Sequence, residues 1–310
     1  MRTVGRPLAR IAAAAAALLG VLAASLVLVG QPSSAGAGPL TLPNPAPSSA
    51  VRYDAPPLKV LLVGDSMAGS LGVGLGELAT AYNVRLANAG MPGCSASMDG
   101  NIELTYFVDR PGWPCRLNHP GALLATWKAW VDAFRPDVVV YLARSDLVNQ
   151  QVQGKWTSVG HRDFNKWFAG RLRQAVSVFT SRGAKVVLMT VPVSEQPTLR
   201  ARPEDNPKRV RRDATMLFRV TGQYPSMVSV YNLAQLLTPG IVYRSSVDNV
   251  TLRCVDGVHV TPEAGVVVAA DLYPRLWQLA GASRVPGGGG WALGRFPEST
   301  PRWYKKLACS

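Results

Sequence analysis

The chain is 310 residues long, 47% hydrophobic and 17% charged, with 33 Lys and Arg against 19 Asp and Glu, a formal charge of +14. The apolar content excludes global disorder, and the length suits one ordinary α/β domain with appendages. Three His and four well-separated Cys exclude a zinc finger or a small disulfide scaffold, while the basic excess raises three acidic partners: nucleic acid, lipid headgroups and anionic glycans.

Arg2, Arg6 and Arg10 open the chain with no acid nearby. Ile11 to Val29 is an uncharged apolar run, and Ala35-Gly36-Ala37 follows as an A-x-A cleavage pattern. Residues 1–29 therefore read as an export signal, either cleaved or kept as a membrane anchor, because the run sits near the lower length limit for spanning a bilayer. The positive-inside rule leaves the Arg-rich end in the cytoplasm and the remainder outside. Without those three Arg the exported part carries +11. An outward-facing domain meets no genome, so nucleic acid is set aside as a partner in favour of phospholipid headgroups or acidic wall polymers. Residues 30–57 hold seven Pro with Ser and Gly and no hydrophobic period, which marks a linker.

From residue 58 strands and helices alternate. Lys59 to Val63 is a short aliphatic strand, and Met67 to Tyr82 follows with helical spacing. Val84 to Ala87 is a second strand. Gly90 to Gly121 is irregular. Ala122 to Phe134 is a helix that Pro136 ends, and Val138 to Leu142 is a strand whose continuous apolar run fits burial on both faces. Asp163 to Thr180 and Pro207 to Thr221 are helices on either side of a strand at Val186 to Val191; Val228 to Tyr231 is the fifth strand. Thr261-Pro262 starts a last helix, an N-cap followed by Pro at the first helical position, which ends near Ala280. The pattern predicts an α/β, doubly wound, five-stranded, mostly parallel sheet with helices on both faces, spanning residues 58–281. Residues 282–310, beginning with a Gly-rich run, form a tail outside the core. Ligands of such sheets bind beyond the carboxyl ends of the strands, so functional residues are sought there.

Gly64-Asp65-Ser66 stands at the first of those ends. It places Ser66 at a helix N-terminus, where free N–H groups and the dipole favour an attacking alkoxide and its tetrahedral intermediate. Asp256-Gly257-Val258-His259 lies just before the last helix. An Asp three residues before a His in a tight loop supplies the acceptor that orients a general base. Ser66, Asp256 and His259 are thus the candidate catalytic residues.

These motifs resemble the SGNH (GDSL-type) hydrolase superfamily, from Leu58 to about Leu279. Val60 to Ser66 resembles its first block, and Asn88-Ala89-Gly90-Met91-Pro92-Gly93 its second, whose Gly gives a backbone N–H to the oxyanion. Gly93 fits the spacing better, with Gly90 second. Asp256 to His259 resembles the fifth block. The third block normally reads Gly-x-Asn-Asp, but here it is Ala143-Arg144-Ser145-Asp146, so Ser145 stands where an Asn donor is expected. Either the Ser145 hydroxyl or Arg144 is left to reach the oxyanion or a substrate anion, and Asp65 is a further substrate-binding candidate. Gly93-Cys94, Cys115 with Trp127 and Trp130, Arg135 to Val140 and Asp256 to Glu263 are similar to extracytoplasmic SGNH domains that follow membrane O-acyltransferase domains in actinobacteria. The resemblance implies a flavodoxin-like SGNH fold, no cofactor, and removal or transfer of acyl groups on cell-envelope glycans, with a membrane acyltransferase as a partner. A degenerate glycan-binding module is the rival expectation, favoured by the missing third-block Asn.

The remaining signals are weaker. Gly74-x-Gly76-x-x-Ala79 imitates a dinucleotide loop but falls inside a helix. Lys208 to Arg212 is a basic cluster on a predicted helix, a solvated face or a contact for anionic glycan or lipid. Trp113, Trp127, Trp130, Trp156 and Trp167 pack or stack on sugars. His119 and His161 lack metal-like spacing, so no metal site is expected. Cys94 and Cys115 flank the irregular loop and are expected to form a disulfide in an exported protein; Cys254 and Cys309 form a second candidate pair.

Overall fold

The computed structural model describes residues 56–97, 102–103, 121–196, 202–281 and 309. The export segment, most of the linker, Trp113, Cys115, His119 and the tail other than Cys309 lie outside them.

Five strands form the central sheet: β1 (Leu58–Gly64), β2 (Val84–Gly90), β4 (Val138–Leu142), β7 (Lys185–Met189) and β8 (Val228–Tyr231), in the order β2-β1-β4-β7-β8. Every pairing among them is parallel. Their runs of Val, Leu and Ile-like residues form strands because β-branched and aliphatic side chains suit a surface covered on both faces. Four consecutive residues of β1, Val60 to Val63, are wholly buried. Helices α1 (Ser66–Ala79), α2 (Ala122–Phe134), α3 (Arg162–Phe179), α4 (Pro207–Thr221) and α6 (Pro262–Leu279) cover the sheet, and a short α5 (Leu233–Leu237) follows β8. The chain leaves β1 toward β2 on one side and reaches β4 on the other. Right-handed crossovers then put α1 and α2 on opposite faces. The order reverses between β1 and β4, and ligands of such sheets bind outside the carboxyl strand ends at that switch point.

Each face has its own packing. Trp127 of α2, Tyr141 of β4 and Phe179 of α3 form a buried aromatic cluster, with ring centroids of Trp127 and Phe179 5.2 Å apart. Trp127 therefore packs the core and is not available to a sugar. On the other face α1 meets α6 through glycine: a Cβ on Gly74 would lie 2.2 Å from the Pro262 carbonyl oxygen and 2.6 Å from the Gly265 Cα. This close approach explains Gly74, the first glycine of the pattern that imitates a dinucleotide loop.

Five short strands in two small sheets were not legible in the pattern. β3 (Ile102–Glu103) pairs with β5 (Asn149–Val152), which pairs with β6 (Lys155–Thr157), all antiparallel; β9 (Ser246–Val247) pairs with β10 (Val250–Thr251). Trp156 of β6 is exposed, whereas Trp130 and Trp167 are partly buried against the core. Among the described residues no helix is long and apolar enough to cross a membrane; the apolar N-terminal run lies outside them.

Candidate active site

The reactive groups follow three strand ends that are neighbours in register: Gly64 of β1 pairs with Gly90 of β2 and with Leu142 of β4. Gly64 has φ of +135°, and a Cβ there would fall 1.8 Å from the Leu142 carbonyl oxygen, so this position accepts only glycine. The turn it allows brings Asp65 to the N-cap of α1 and Ser66 to the first helical position. Asp65 is buried. One carboxylate oxygen accepts the Met67 N–H at 2.9 Å, and the other accepts both the N–H and the hydroxyl of Ser145, each at 2.7 Å. Burial raises the Asp65 pKa, against the pull of those hydrogen bonds from Ser145 and Met67. Asp65 and Ser145 thus clamp the turn after β1 to the turn after β4. The Ser145 hydroxyl points its bond at Asp65, and the carboxylate is spent on protein donors.

Ser66 is half-buried, and its hydroxyl makes no hydrogen bond to any described residue. Its N–H, like that of Gly93, has no acceptor among the described residues. An N–H in the first turn of a helix has no intrahelical partner and can serve an anion. Gly93 has φ of +73° in the turn after β2, which Asn88 braces: its amide donates to the Gly69 carbonyl of α1 at 2.8 Å and its oxygen accepts the Gly90 N–H at 3.2 Å. The Gly90 N–H is therefore committed, and the Gly93 N–H is the one left for an oxyanion.

The loop carrying His259 is a closed turn. The Cys254 N–H donates to the His259 carbonyl at 2.9 Å, and Arg253 bridges to Val260 in antiparallel fashion. One Asp256 oxygen accepts the N–H groups of Val258 (2.9 Å) and His259 (3.0 Å), and the other meets His259 Nδ1. Burial pushes the Asp256 carboxyl up, but the hydrogen bond and charge of His259 and the two backbone donors outweigh it and hold the group at about 2. An ionised Asp256 on Nδ1 keeps the proton there and leaves the lone pair on the buried Nε2. Gly257, at φ of +70°, lets this loop press on the segment after β7: a Cβ would lie 1.7 Å from the Glu195 carbonyl oxygen. The loop also touches α1, because the Val260 N–H donates to the Ser70 hydroxyl at 3.1 Å. Ser70 is one turn beyond Ser66 and on the same helix face, where side chains four apart are neighbours.

A charged layer braces these loops. Buried Arg144 donates to the Ser194 hydroxyl at 2.6 Å and to Asp205 at 2.5 Å, with Glu204 3.5 Å away. Arg253 donates to the carbonyls of Val193 (2.9 Å) and Val258 (3.3 Å), and burial lowers its pKa to about 10. Asp146, next to Ser145, accepts from the Ser97 and Tyr141 hydroxyls at 2.6 Å each; burial, only partly offset by these bonds, raises it to about 6. Asp213 of α4 is buried near it, with its pKa raised by burial and by the Asp146 charge, and its Oδ1 finds no partner among the described residues. In the basic cluster, Arg209 donates to the Leu147 carbonyl (2.8 Å) and to Asn149 (2.7 Å), so part of that cluster ties α4 to the segment after β4. A disulfide joins Cys254 to Cys309 with Cα atoms 4.6 Å apart. Cys94 is also disulfide-bonded; Cys115, its expected partner, is outside the described residues. Among the described residues no group of three His, Cys, Asp or Glu could hold a metal ion.

Residues 38–274 match the family described as "SGNH domain (fused to AT3 domains)". The chain belongs to the SGNH domain family. Membership makes it a serine hydrolase acting on esters. No curated protein matches this SGNH chain. Among solved structures it is similar to a GDSL-like lipase from Bacteroides thetaiotaomicron (15% identity, TM-score 0.46, 71% of this chain and 88% of that one). It is also similar to Est24, a carbohydrate acetylesterase from Sinorhizobium meliloti (13%, 0.45, 72% and 99%). A third is a gut microbial diltiazem-metabolizing enzyme (11%, 0.46, 74% of this chain), of which the SGNH chain spans 48%. At these values the likenesses decide nothing about substrate.

Ser70, Ser194 and Arg253 escaped the sequence reading. No motif marks them. Only a polar residue at a position buried by helical spacing, as Ser70 is, could have signalled one of them.

Proposed function

We propose that this SGNH protein is an exported serine esterase or O-acyltransferase acting on acetyl-like acyl esters of cell-envelope glycans through Ser66, His259 and Asp256. The carrying observation is the Asp256–His259 hydrogen bond within a loop anchored to α1 one turn from Ser66. Ser66 attacks the ester carbonyl as His259 Nε2 removes its proton, while Asp256 holds the tautomer and stabilises the imidazolium. The N–H groups of Ser66 and Gly93 receive the oxyanion. The C–O bond to the alcohol then breaks, His259 returns the proton to the leaving oxygen, and an acyl-Ser66 ester remains. Water or a sugar hydroxyl, deprotonated by His259, attacks that ester, the acyl–oxygen bond to Ser66 breaks, and His259 returns the proton to the Ser66 oxygen. Bond making between nucleophile and base tightens in the substrate complex, so a hydroxyl without a partner in the free enzyme fits this course.

Export rests on the basic start, apolar run and A-x-A site of residues 1–37. Fusing residues 1–57 to a reporter active only outside the cytoplasm tests it. The family description, which names fusion to AT3 domains, supports a membrane acyltransferase as partner. The glycan-binding rival draws on Ser145, whose N–H and hydroxyl are both given to Asp65, leaving two oxyanion donors in place of three. Wild-type protein should hydrolyse p-nitrophenyl acetate and bind a fluorophosphonate covalently, and Ser66→Ala should lose both. Retention of an acetylated wall glycan by a wild type that neither labels nor turns over would favour the rival. Release of acetate against appearance of acetylated acceptor distinguishes hydrolysis from transfer.

A further inference from the structure

We infer that Ser70 is the positioning residue for the general base, its buried hydroxyl fixing the peptide that carries His259 to the helix that carries Ser66. The inference rests on the catalytic reading above and adds a residue to it. Ser70 is fully buried in α1. Its hydroxyl donates to the Met67 carbonyl, three residues back, at 3.0 Å. That bond fixes the hydrogen and turns the oxygen lone pairs away from the helix. The Val260 N–H, from a residue 190 positions later, donates to that oxygen at 3.1 Å.

The chemistry follows from which peptide is held. The carbonyl of His259 and the N–H of Val260 belong to the same planar unit. Its carbonyl end accepts the Cys254 N–H at 2.9 Å, and its N–H end meets Ser70. The preceding peptide is held as well, because the His259 N–H donates to Asp256 at 3.0 Å. Of these restraints, those from Cys254 and Asp256 lie within the loop itself. They shape the turn but say nothing about where it sits. The Ser70 bond joins the loop to the nucleophile's own helix at the turn next to Ser66. Together with the contacts of Gly257 and Arg253 to the segment after β7, it helps set the distance between base and nucleophile, while Asp256 sets only the tautomer.

Removing the hydroxyl leaves Asp256, His259 and Ser66 chemically intact and frees their relative position. A misplacement of about 1 Å costs on the order of a hundredfold in rate. Ser70→Ala should thus lower kcat by roughly 10- to 100-fold with KM unchanged, and slow fluorophosphonate labelling in proportion. Rates are taken per folded molecule, with thermal unfolding measured alongside. Ser70→Thr should recover most of the rate, since a helical threonine keeps its oxygen on the same i−3 carbonyl. If Ser70→Ala turns over like wild type once corrected for folded fraction, or if KM carries the loss, Ser70 does not position the base. Should wild type itself prove inactive on every ester, the catalytic reading fails first. The contact is then read by NMR, where only three histidines share the imidazole region. Ser70→Ala should shift the His259 ring signals and speed Val260 amide exchange, and unchanged signals would overturn the inference.

Discussion

Replacing Asp256 by Asn separates the two tasks of that carboxylate. An Asn oxygen can still accept the Val258 and His259 N–H groups, now at 2.9 and 3.0 Å, so the turn should keep its shape. The amide NH2 then faces His259 Nδ1. Two donors cannot share that contact, so the imidazole moves its proton to Nε2, and the lone pair needed to accept the Ser66 proton disappears. Reversal of the tautomer in such a site costs about ten-thousand-fold in kcat. The stability cost is worked from the carboxyl pKa, held at about 2 against 3.8. At 1.36 kcal/mol per unit this is about 2 kcal/mol of native-state stabilisation. A depressed pKa stabilises above the unfolded value and loses that contribution as pH falls. Wild type should therefore exceed Asp256→Asn by about 2 kcal/mol at pH 7, with the gap closing between pH 4 and 2. Initial rates on p-nitrophenyl acetate and urea unfolding at several pH values read the two effects. An Asn variant within tenfold of wild-type kcat, with an intact fold, would refute the role given to Asp256.

Asp146 and Asp213 predict the opposite pH trend. Both carboxyls are raised by burial, Asp146 to about 6, so the protonated forms stabilise the fold; the Asp146 contribution is lost as pH rises through 6, and that of Asp213 also falls with rising pH. Urea midpoints should rise as pH falls from 8 to 5, and Asp213→Asn should be about 1–3 kcal/mol more stable than wild type at pH 8 and equal to it near pH 4. A flat profile would count against the buried pair. For the disulfide, Cys309→Ser opens a closure spanning 55 residues. Chain entropy sets an upper limit of about 4 kcal/mol on the loss, measurable as a lower thermal midpoint; a reductant should lower the wild-type midpoint further than that of the variant, which keeps the Cys94 disulfide.

The sheet was readable because burial on both faces removes the polar half of the usual alternation. Val60 to Val63 and Val138 to Leu142 are continuous apolar runs that only an interior parallel strand accommodates. The hairpin of β5 and β6 was not readable, because Asn149-Gln150-Gln151-Val152 carries no alternation. Gln150 is buried there, its side-chain amide donating a hydrogen bond to the hydroxyl of Ser97, a partner 53 residues away. Ser66, Asp256 and His259 were legible as short motifs with chemistry in their spacing. The bracing around them was not. Arg144 looks like a displaced oxyanion residue in sequence, yet it lies buried on Ser194 and Asp205 from two later segments. Long-range polar pairing of this kind leaves no local period, and the Ser70–Val260 bond, 190 residues apart, is one such case.

The glycine contact between α1 and α6 gives an engineer a handle remote from any reacting atom. Helices that touch backbone to backbone have no side-chain cushion to absorb a shift, and α1 begins at the proposed nucleophile, Ser66, as α6 begins just after the proposed base, His259. A methyl wedge at Gly265 would meet the Gly74 Cα at 2.7 Å and lever the two helix starts apart as a pair. The spacing of the catalytic groups could thus be tuned mechanically, by graded bulk at one position, with every reacting side chain left in place.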